Sequence, residues 1–288
     1  MPDPSNSNIQ DLTDAVDVVD EPSDFPFRIA SEPADAVVSS LDGRPELIET
    51  AGELTRLVTS GAPGAMSEPA TAGVENGAGP IPMLVIQSPG GTMETRRPVD
   101  TRRFLIGTES CDLELEDGFV SRWHAQLFER DGALVLQDLA SQNGVYLRIA
   151  DDLALEDGDQ IVIGEQRFEF RTSFDQSEDA RADLPAQLGA AWVGSPARLV
   201  RRIEGGLVGG VHPIGQRLTI GASEGDLRFP EDGLLASPHT VIRREQDRYL
   251  LRDVDSDTGT FIRIANAVEL IDGDCFLVGR TRIRLTFA

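Results

Sequence analysis

Gly118-Phe119-Val120-Ser121-Arg122-Trp123-His124, followed nineteen residues after its histidine by Asn143-Gly144, is the stretch on which the reading of this chain turns. A serine, an arginine and an asparagine amide sit here in turns between short β-forming runs. Such groups suit the grip of a phosphate and of the backbone beside it. The same frame returns about 115 residues later as Leu235-Ala236-Ser237-Pro238-His239 and Asp257-Thr258-Gly259, with the serine and the asparagine replaced.

Around this stretch the chain is a succession of short strands. Met83–Gln87, Arg103–Ile106, Ala125–Phe128, Ala133–Gln137, Gln160–Ile163 and Arg167–Phe170 are apolar or alternating runs. Turn signals such as Asp131-Gly132, Asn143-Gly144 and Asp157-Gly158-Asp159 bound them. Many short strands at close spacing predict an all-β sandwich.

The second half repeats the first. Ile106-Gly107 matches Ile220-Gly221, and Asp112-Leu113 matches Asp226-Leu227. After a one-residue insertion near Pro230 the offset is 115: His124 matches His239, Asp138 matches Asp253, Gly144 matches Gly259, and Ile149 matches Ile264. The period is far above the ~20–50 residues of a solenoid, so this is a duplicated domain. The expectation is two sandwiches in tandem, at 82–173 and 195–288, joined by a polar linker at 174–194.

Charge divides the chain further. Residues 1–80 carry 15 acids against three arginines, residues 81–190 carry 21 against 10, and residues 191–288 carry 13 of each. The first 80 residues are also rich in Pro, Ser, Asp and Ala. Such a segment buries too little apolar surface to offset its ordering entropy, and it reads as a disordered acidic tail. Within it, Leu47, Ala51, Leu54 and Val58 fall at helical spacing, which marks a short helix over 45–58.

The net charge of −23 argues against nucleic acid and anionic membrane surfaces, both of which require cationic faces. All 26 basic residues are arginine. Cys111 and Cys275 form no C-x-x-C pair, so zinc and thiol-redox motifs are absent. The start of the sequence lacks the basic and apolar regions of a signal peptide, and no run reaches the ~18 apolar residues of a membrane span. From these features a soluble cytoplasmic protein is the expectation.

Taken together, the strand ending in Gly107, then Asp112-Leu113, Val120-Ser121-Arg122-Trp123-His124-Ala125, Asp138-Leu139-Ala140-Ser141-Gln142-Asn143-Gly144-Val145 and Gly158-Asp159 resemble the forkhead-associated (FHA) domain. Residues 83–172 cover that domain, and residues 197–288 resemble a divergent second copy. The resemblance implies β-sandwiches whose loops bind phosphothreonine peptides. It implies a signalling adaptor without enzymatic activity or cofactor, and a phosphorylated protein partner such as a Ser/Thr protein kinase or its substrates. Many bacterial members work beside such kinases. By the same resemblance Ser121, Arg122, Gln142, Asn143 and Thr108 meet the phosphopeptide. Gly107, His124 and Gly144 shape the loops.

The chemistry fits. A phosphothreonine carries close to two negative charges and three acceptor oxygens. Ser121 offers a hydroxyl, Arg122 a charge and Asn143 an amide for the adjacent backbone. The chain also departs from the family, which places Gly-Arg where Gly107-Thr108-Glu109 stands. A lost charge-assisted bond is worth roughly 1.5–3 kcal/mol, and Glu109 adds repulsion. In the second copy Ala222, Ala236 and Thr258 replace three of the ligands, so that copy is expected to serve as a phosphate-independent module. A scaffold in which neither copy binds phosphothreonine is the alternative.

Ser121 and His124 lack a third orienting group, so a nucleophile–base pair is disfavoured. The Asp-Gly-Asp turns at 157–159 and 272–274 lack the further oxygens of a calcium loop and read as tight turns. No metal is expected.

Overall fold

The computed structural model of the protein describes residues 81–89, 94–172 and 197–287. The acidic tail, its candidate helix at 45–58 and the linker at 174–194 lie outside the described residues. What is described is all-β, apart from one 3₁₀ turn at Glu204–Gly206.

The first copy contributes β1 (Pro82–Gln87), β2 (Glu94–Pro98), β3 (Arg103–Gly107), β4 (Leu113–Glu114), β5 (Trp123–Arg130), β6 (Ala133–Asp138), β7 (Val145–Arg148), β8 (Leu153–Leu155), β9 (Gln160–Ile163) and β10 (Gln166–Arg171). The second contributes β11 (Ala197–Arg202), β12 (Val208–Ile214), β13 (Arg217–Gly221), β14 (Leu227–Arg228), β15 (Thr240–Glu245), β16 (Arg248–Asp253), β17 (Thr260–Arg263), β18 (Val268–Leu270), β19 (Cys275–Val278) and β20 (Thr281–Phe287). Alternation along them sets the core face. In β3 and β5, Phe104, Ile106, Ala125 and Leu127 point inward and are buried.

Each sequence copy was expected to close on itself. The strands pair otherwise. The last three strands of each copy cross to the other. β20 pairs with β1, β19 with β7, and β18 with β6. Reciprocally, β10 pairs with β11, β9 with β17, and β8 with β16. Sandwich A therefore consists of residues 82–148 with 268–287, and sandwich B of 153–171 with 197–263. One ten-stranded sheet, β12-β11-β10-β9-β17-β7-β19-β20-β1-β2, runs through both, joined where β17 pairs with β7. A five-stranded sheet completes each: β18-β6-β5-β3-β4 in A and β14-β13-β15-β16-β8 in B.

The two cores follow this partition. The core of A joins Leu84, Phe104, Ile106 and Leu127 to Phe276, Ile283 and Leu285. The core of B joins Phe168 and Phe170 to Leu199, Ile220 and Ile242. Seven buried residues of A come from the second copy. At roughly 1.5–3 kcal/mol for each buried apolar side chain, they contribute about 10–20 kcal/mol. That is comparable to the whole net stability of a domain, ~5–15 kcal/mol. A sandwich deprived of its exchanged strands would not hold.

The registers of the two halves coincide. Leu84 faces Leu285 as Leu199 faces Phe170, and Leu147 faces Phe276 as Ile262 faces Ile161. Pairing within a copy would use the same registers, so hydrophobic pattern alone does not choose between the arrangements. Linker length and charge do. Only residues 149–152 separate β7 from β8, and 264–267 separate β17 from β18. Short hinges favour a chain that runs on over one that turns back. Here the hinges extend the ladder, Ile149 N–H donating to Thr260 O and Ile264 N–H to Val145 O, both at 2.9 Å.

Charges add to this. The Glu169 carboxylate of β10 accepts from Arg202 Nη2 at 2.6 Å on β11. Its counterpart on β20 is Arg284, which reaches Glu94 of β2 at 4.0 Å. Pairing within copies would set Arg284 against Arg202 and Glu169 against Glu94. Asp152 in the first hinge meets Arg243 Nη2 at 2.6 Å and also binds Arg252. The corresponding first-copy positions are Phe128 and Gln137, which carry no charge. Opposite charges across strands stabilise a pairing, and like charges oppose one.

Candidate functional site

Three loops of the first copy meet in sandwich A, following β3, β4 and β6. Hydrogen bonds tie them together. Thr108 N–H donates to Arg122 O at 3.1 Å, Gln142 N–H to Ser121 Oγ at 3.1 Å, and Asn143 Nδ2 to Phe119 O at 2.8 Å. The structure thus brings Thr108, Ser121, Arg122, Gln142 and Asn143 together, although they span 36 positions of sequence.

His124 holds this cluster from beneath. It is fully buried. Its Nδ1 accepts from Ser121 N–H at 3.0 Å, which places the proton on Nε2, 3.0 Å from Gly144 O. Burial lowers its pKa below the usual 6.5, against the opposing pull of the Gly144 carbonyl and of Asp138 and Asp117. The ring is a neutral brace between the two loops.

The site glycines have local reasons. Gly107 lies so close to Arg122 O that a Cβ would collide with it, and would stand 2.9 Å from Cys111 Sγ. Gly144 has φ +79°, a conformation glycine adopts without penalty. It packs against the Arg263 guanidinium, and its N–H donates to Ser141 Oγ at 3.0 Å.

Ser121 Oγ accepts a bond from Gln142, which leaves its own hydrogen free to donate. Arg122 is exposed. Its Nε is 3.3 Å from Glu109 Oε2, an exposed ion pair. Its guanidinium also lies 5.0 Å from the Trp123 ring.

Several residues of this region were not found by sequence reasoning. Asp117 is buried, and its carboxylate accepts from Phe119 N–H at 3.0 Å and from Arg280 N–H at 2.8 Å. Burial would raise its pKa, but these bonds and the Arg280 charge outweigh burial and lower it. The Arg280 guanidinium sits 4.9 Å from the Phe119 ring. Arg263 approaches Asp138 Oδ2 at 4.0 Å beneath the Asn143 loop. Arg263 and Arg280 belong to the second copy. Phe119 lay inside the quoted stretch and Asp117 directly before it, but nothing in the sequence linked them to residues some 160 positions away.

Sandwich B repeats the frame with other side chains. Ala236 N–H donates to His239 Nδ1 at 3.0 Å, and His239 Nε2 lies 3.1 Å from Gly259 O. Thr258 Oγ1 donates to Leu234 O at 2.7 Å, in the place of the Asn143–Phe119 bond. Asp232 accepts from Glu165 N–H at 2.8 Å, where Asp117 meets Arg280. The braces persist, while Ala236 brings no hydroxyl and Thr258 no amide.

In the Asp-Gly-Asp turns, Asp159 Oδ2 accepts from Glu156 N–H and Asp274 Oδ2 from Ile271 N–H, each at 2.7 Å. Among the described residues no group of three or more His, Cys, Asp or Glu side chains could hold a metal ion. No described helix is long and apolar enough to cross a membrane.

A tandem of sandwiches with braced loops of this kind defines a class, and comparison with known proteins agrees. Residues 104–164 and 214–279 each match the FHA domain. The chain thus carries two FHA-domain regions in tandem. No curated protein matches it. Similar solved structures include an FHA domain studied for phosphothreonine-dependent interactions, at 10% identity over 72% of this chain and 97% of that one, with a TM-score of 0.29. The FHA domain of the CT664 protein from Chlamydia trachomatis is 11% identical over 72% of this chain and 96% of its own, with a TM-score of 0.29. Mycobacterium tuberculosis EmbR, in complex with a low-affinity phosphopeptide, is 28% identical over 33% of this chain and 25% of its own, with a TM-score of 0.22.

Proposed function

We propose that this chain is a cytoplasmic, non-enzymatic signalling adaptor whose sandwich A binds a phosphothreonine segment of a partner protein. The observation that carries this reading is the Ser121 hydroxyl. It accepts the Gln142 N–H, so its own hydrogen is available to a ligand, on a loop braced by His124 and beside the Asn143 amide. Ser121 and Arg122 meet the phosphate, Asn143 the neighbouring peptide backbone, and Gln142 and Thr108 the rim. A Ser/Thr protein kinase or one of its substrates is the partner class. Sandwich B lacks the hydroxyl and the amide, and acts as a phosphate-independent module.

A second reading rests on Thr108 and on the Arg122–Glu109 pair. With its arginine partly neutralised, the loop cluster would serve a phosphate-independent scaffold. Calorimetric titration of the full chain with a phosphothreonine peptide and its unphosphorylated twin separates the two. The adaptor reading expects one site per chain, phosphate-dependent and weakened by Ser121→Ala. Equal affinity for both peptides, or none for either, would support the scaffold.

A further inference from the structure

Because the last strands are exchanged, the turn that abuts the candidate site comes from the second copy. In sandwich A that turn presents Arg280, and in sandwich B the equivalent turn presents Glu165. Pairing within copies would reverse the two, replacing a cation with an anion beside Asp117 and Phe119. Arg280 would then face Leu234, which has no aromatic face to offer it.

Arg280 is firmly placed. Its N–H and its Nε hold Asp117, at 2.8 and 3.4 Å, and its guanidinium lies over Phe119. Phe119 in turn is bonded through its carbonyl to Asn143. The Arg280 side chain is nonetheless 56% exposed. Its guanidinium engages the Asp117 carboxylate through Nε. Arg122, another cation of the cluster, faces Glu109 instead, while Arg167 lies 5.9 Å from the Phe119 ring.

We propose that Arg280, supplied by the second copy, reads a second anionic group on the ligand of sandwich A. That group is a carboxylate side chain flanking the phosphothreonine. The proposal rests on the phosphothreonine reading above. It gives the second copy a role in binding although its own loops lack the ligand-binding side chains. The first-copy site is incomplete without it. A guanidinium offers parallel N–H donors that match a carboxylate, and here stacking and a hydrogen bond already fix its orientation.

The test uses the full chain and an alanine-flanked phosphothreonine peptide. In a companion series, aspartate replaces one flanking alanine at a time. Affinities are measured for wild type, Arg280→Gln, Arg280→Lys and Ser121→Ala. The expectation is that aspartate at one or two flanking positions strengthens binding to wild type about five- to tenfold. Arg280→Gln abolishes that gain. Arg280→Lys retains part of the gain, and Ser121→Ala weakens every peptide alike. If wild type binds phosphopeptides in a Ser121-dependent manner with no preference among flanks, or if Arg280→Gln keeps the preference, the role of Arg280 is overturned and the phosphothreonine reading stands. If wild type binds none of the phosphopeptides, that reading fails and takes this proposal with it. Equal loss for all peptides in Arg280→Gln would show that Arg280 only shapes the Asp117 loop.

Discussion

Arg280 donates its backbone N–H to the buried Asp117 carboxylate at 2.8 Å, across 163 positions of sequence. The bond joins the turn after β19 of the second copy to the loop after β4 of the first. It is one of a symmetric pair, since Glu165 binds Asp232 in the same way in sandwich B. Together these contacts show two duplicated units that have become one interlocked body.

The pairing of β10 with β11 depends on Glu169. Glu169→Arg would set a cation against Arg202 and Arg171, both of which now bind that carboxylate. Urea unfolding of this variant should show a loss of about 2 kcal/mol, between the values typical of exposed and of buried pairs. The reversed pair Glu169→Arg with Arg202→Glu should recover part of it. A variant as stable as wild type would mean that charge does not specify the exchange.

Removing the loop ligands should weaken phosphopeptide binding. Ser121→Ala and Asn143→Ala are each expected to cost roughly 1–2 kcal/mol, as lost hydrogen bonds do. Asn143→Ala also frees the Phe119 carbonyl, so its thermal midpoint should fall while that of Ser121→Ala changes less. Calorimetry and thermal melts on the same samples separate these effects.

Glu109→Gln releases Arg122 from its ion pair and removes an anion from the phosphate approach. Exposed pairs of this kind are worth ~0.2–1 kcal/mol. Affinity for a phosphothreonine peptide should therefore rise about two- to fivefold. Unchanged affinity would place Arg122 outside the contact.

His124 makes stability pH-dependent. Its folded pKa lies below the unfolded value of 6.5 because burial disfavours the imidazolium. The unfolded state therefore takes up the proton first. Its contribution is complete above pH 6.5 and is lost as pH falls from there through the lower folded value. NMR titration of the folded chain should find the ring neutral at pH 6.5, with Nε2 protonated. A ring half-charged at that pH would contradict the brace.

Much of this was legible in the sequence. Phe104, Ile106, Leu127 and Leu136 announced their strands by pattern, and the 115-residue offset announced the duplication. Ser121, His124 and Asn143 marked the loops. Strand β2, Glu94–Pro98, was not legible, because it is exposed along its whole length and shows no alternation. The exchange was not legible either. Leu285 and Phe170 fit opposite Leu84 and Leu199 interchangeably, so apolar pattern cannot say which belongs to which. The discriminating information lies in residues that differ between copies: Asp152 against Ala267, Glu169 against Arg284, Glu165 against Arg280. Each acquires meaning only once its cross-strand partner is known.

The exchange itself is open to one direct measurement. In a chain carrying Cys111→Ser and Cys275→Ala, Met83→Cys is combined either with Thr286→Cys or with Arg171→Cys, and each variant is treated with a short bismaleimide. Met83 faces Thr286 across β1 and β20, while Arg171 is the position that pairing within the first copy would bring there. Mass spectrometry of the digested monomer should find residues 83 and 286 linked within one chain, and 83 and 171 unlinked. Linkage of 83 to 171, with none to 286, would contradict the account.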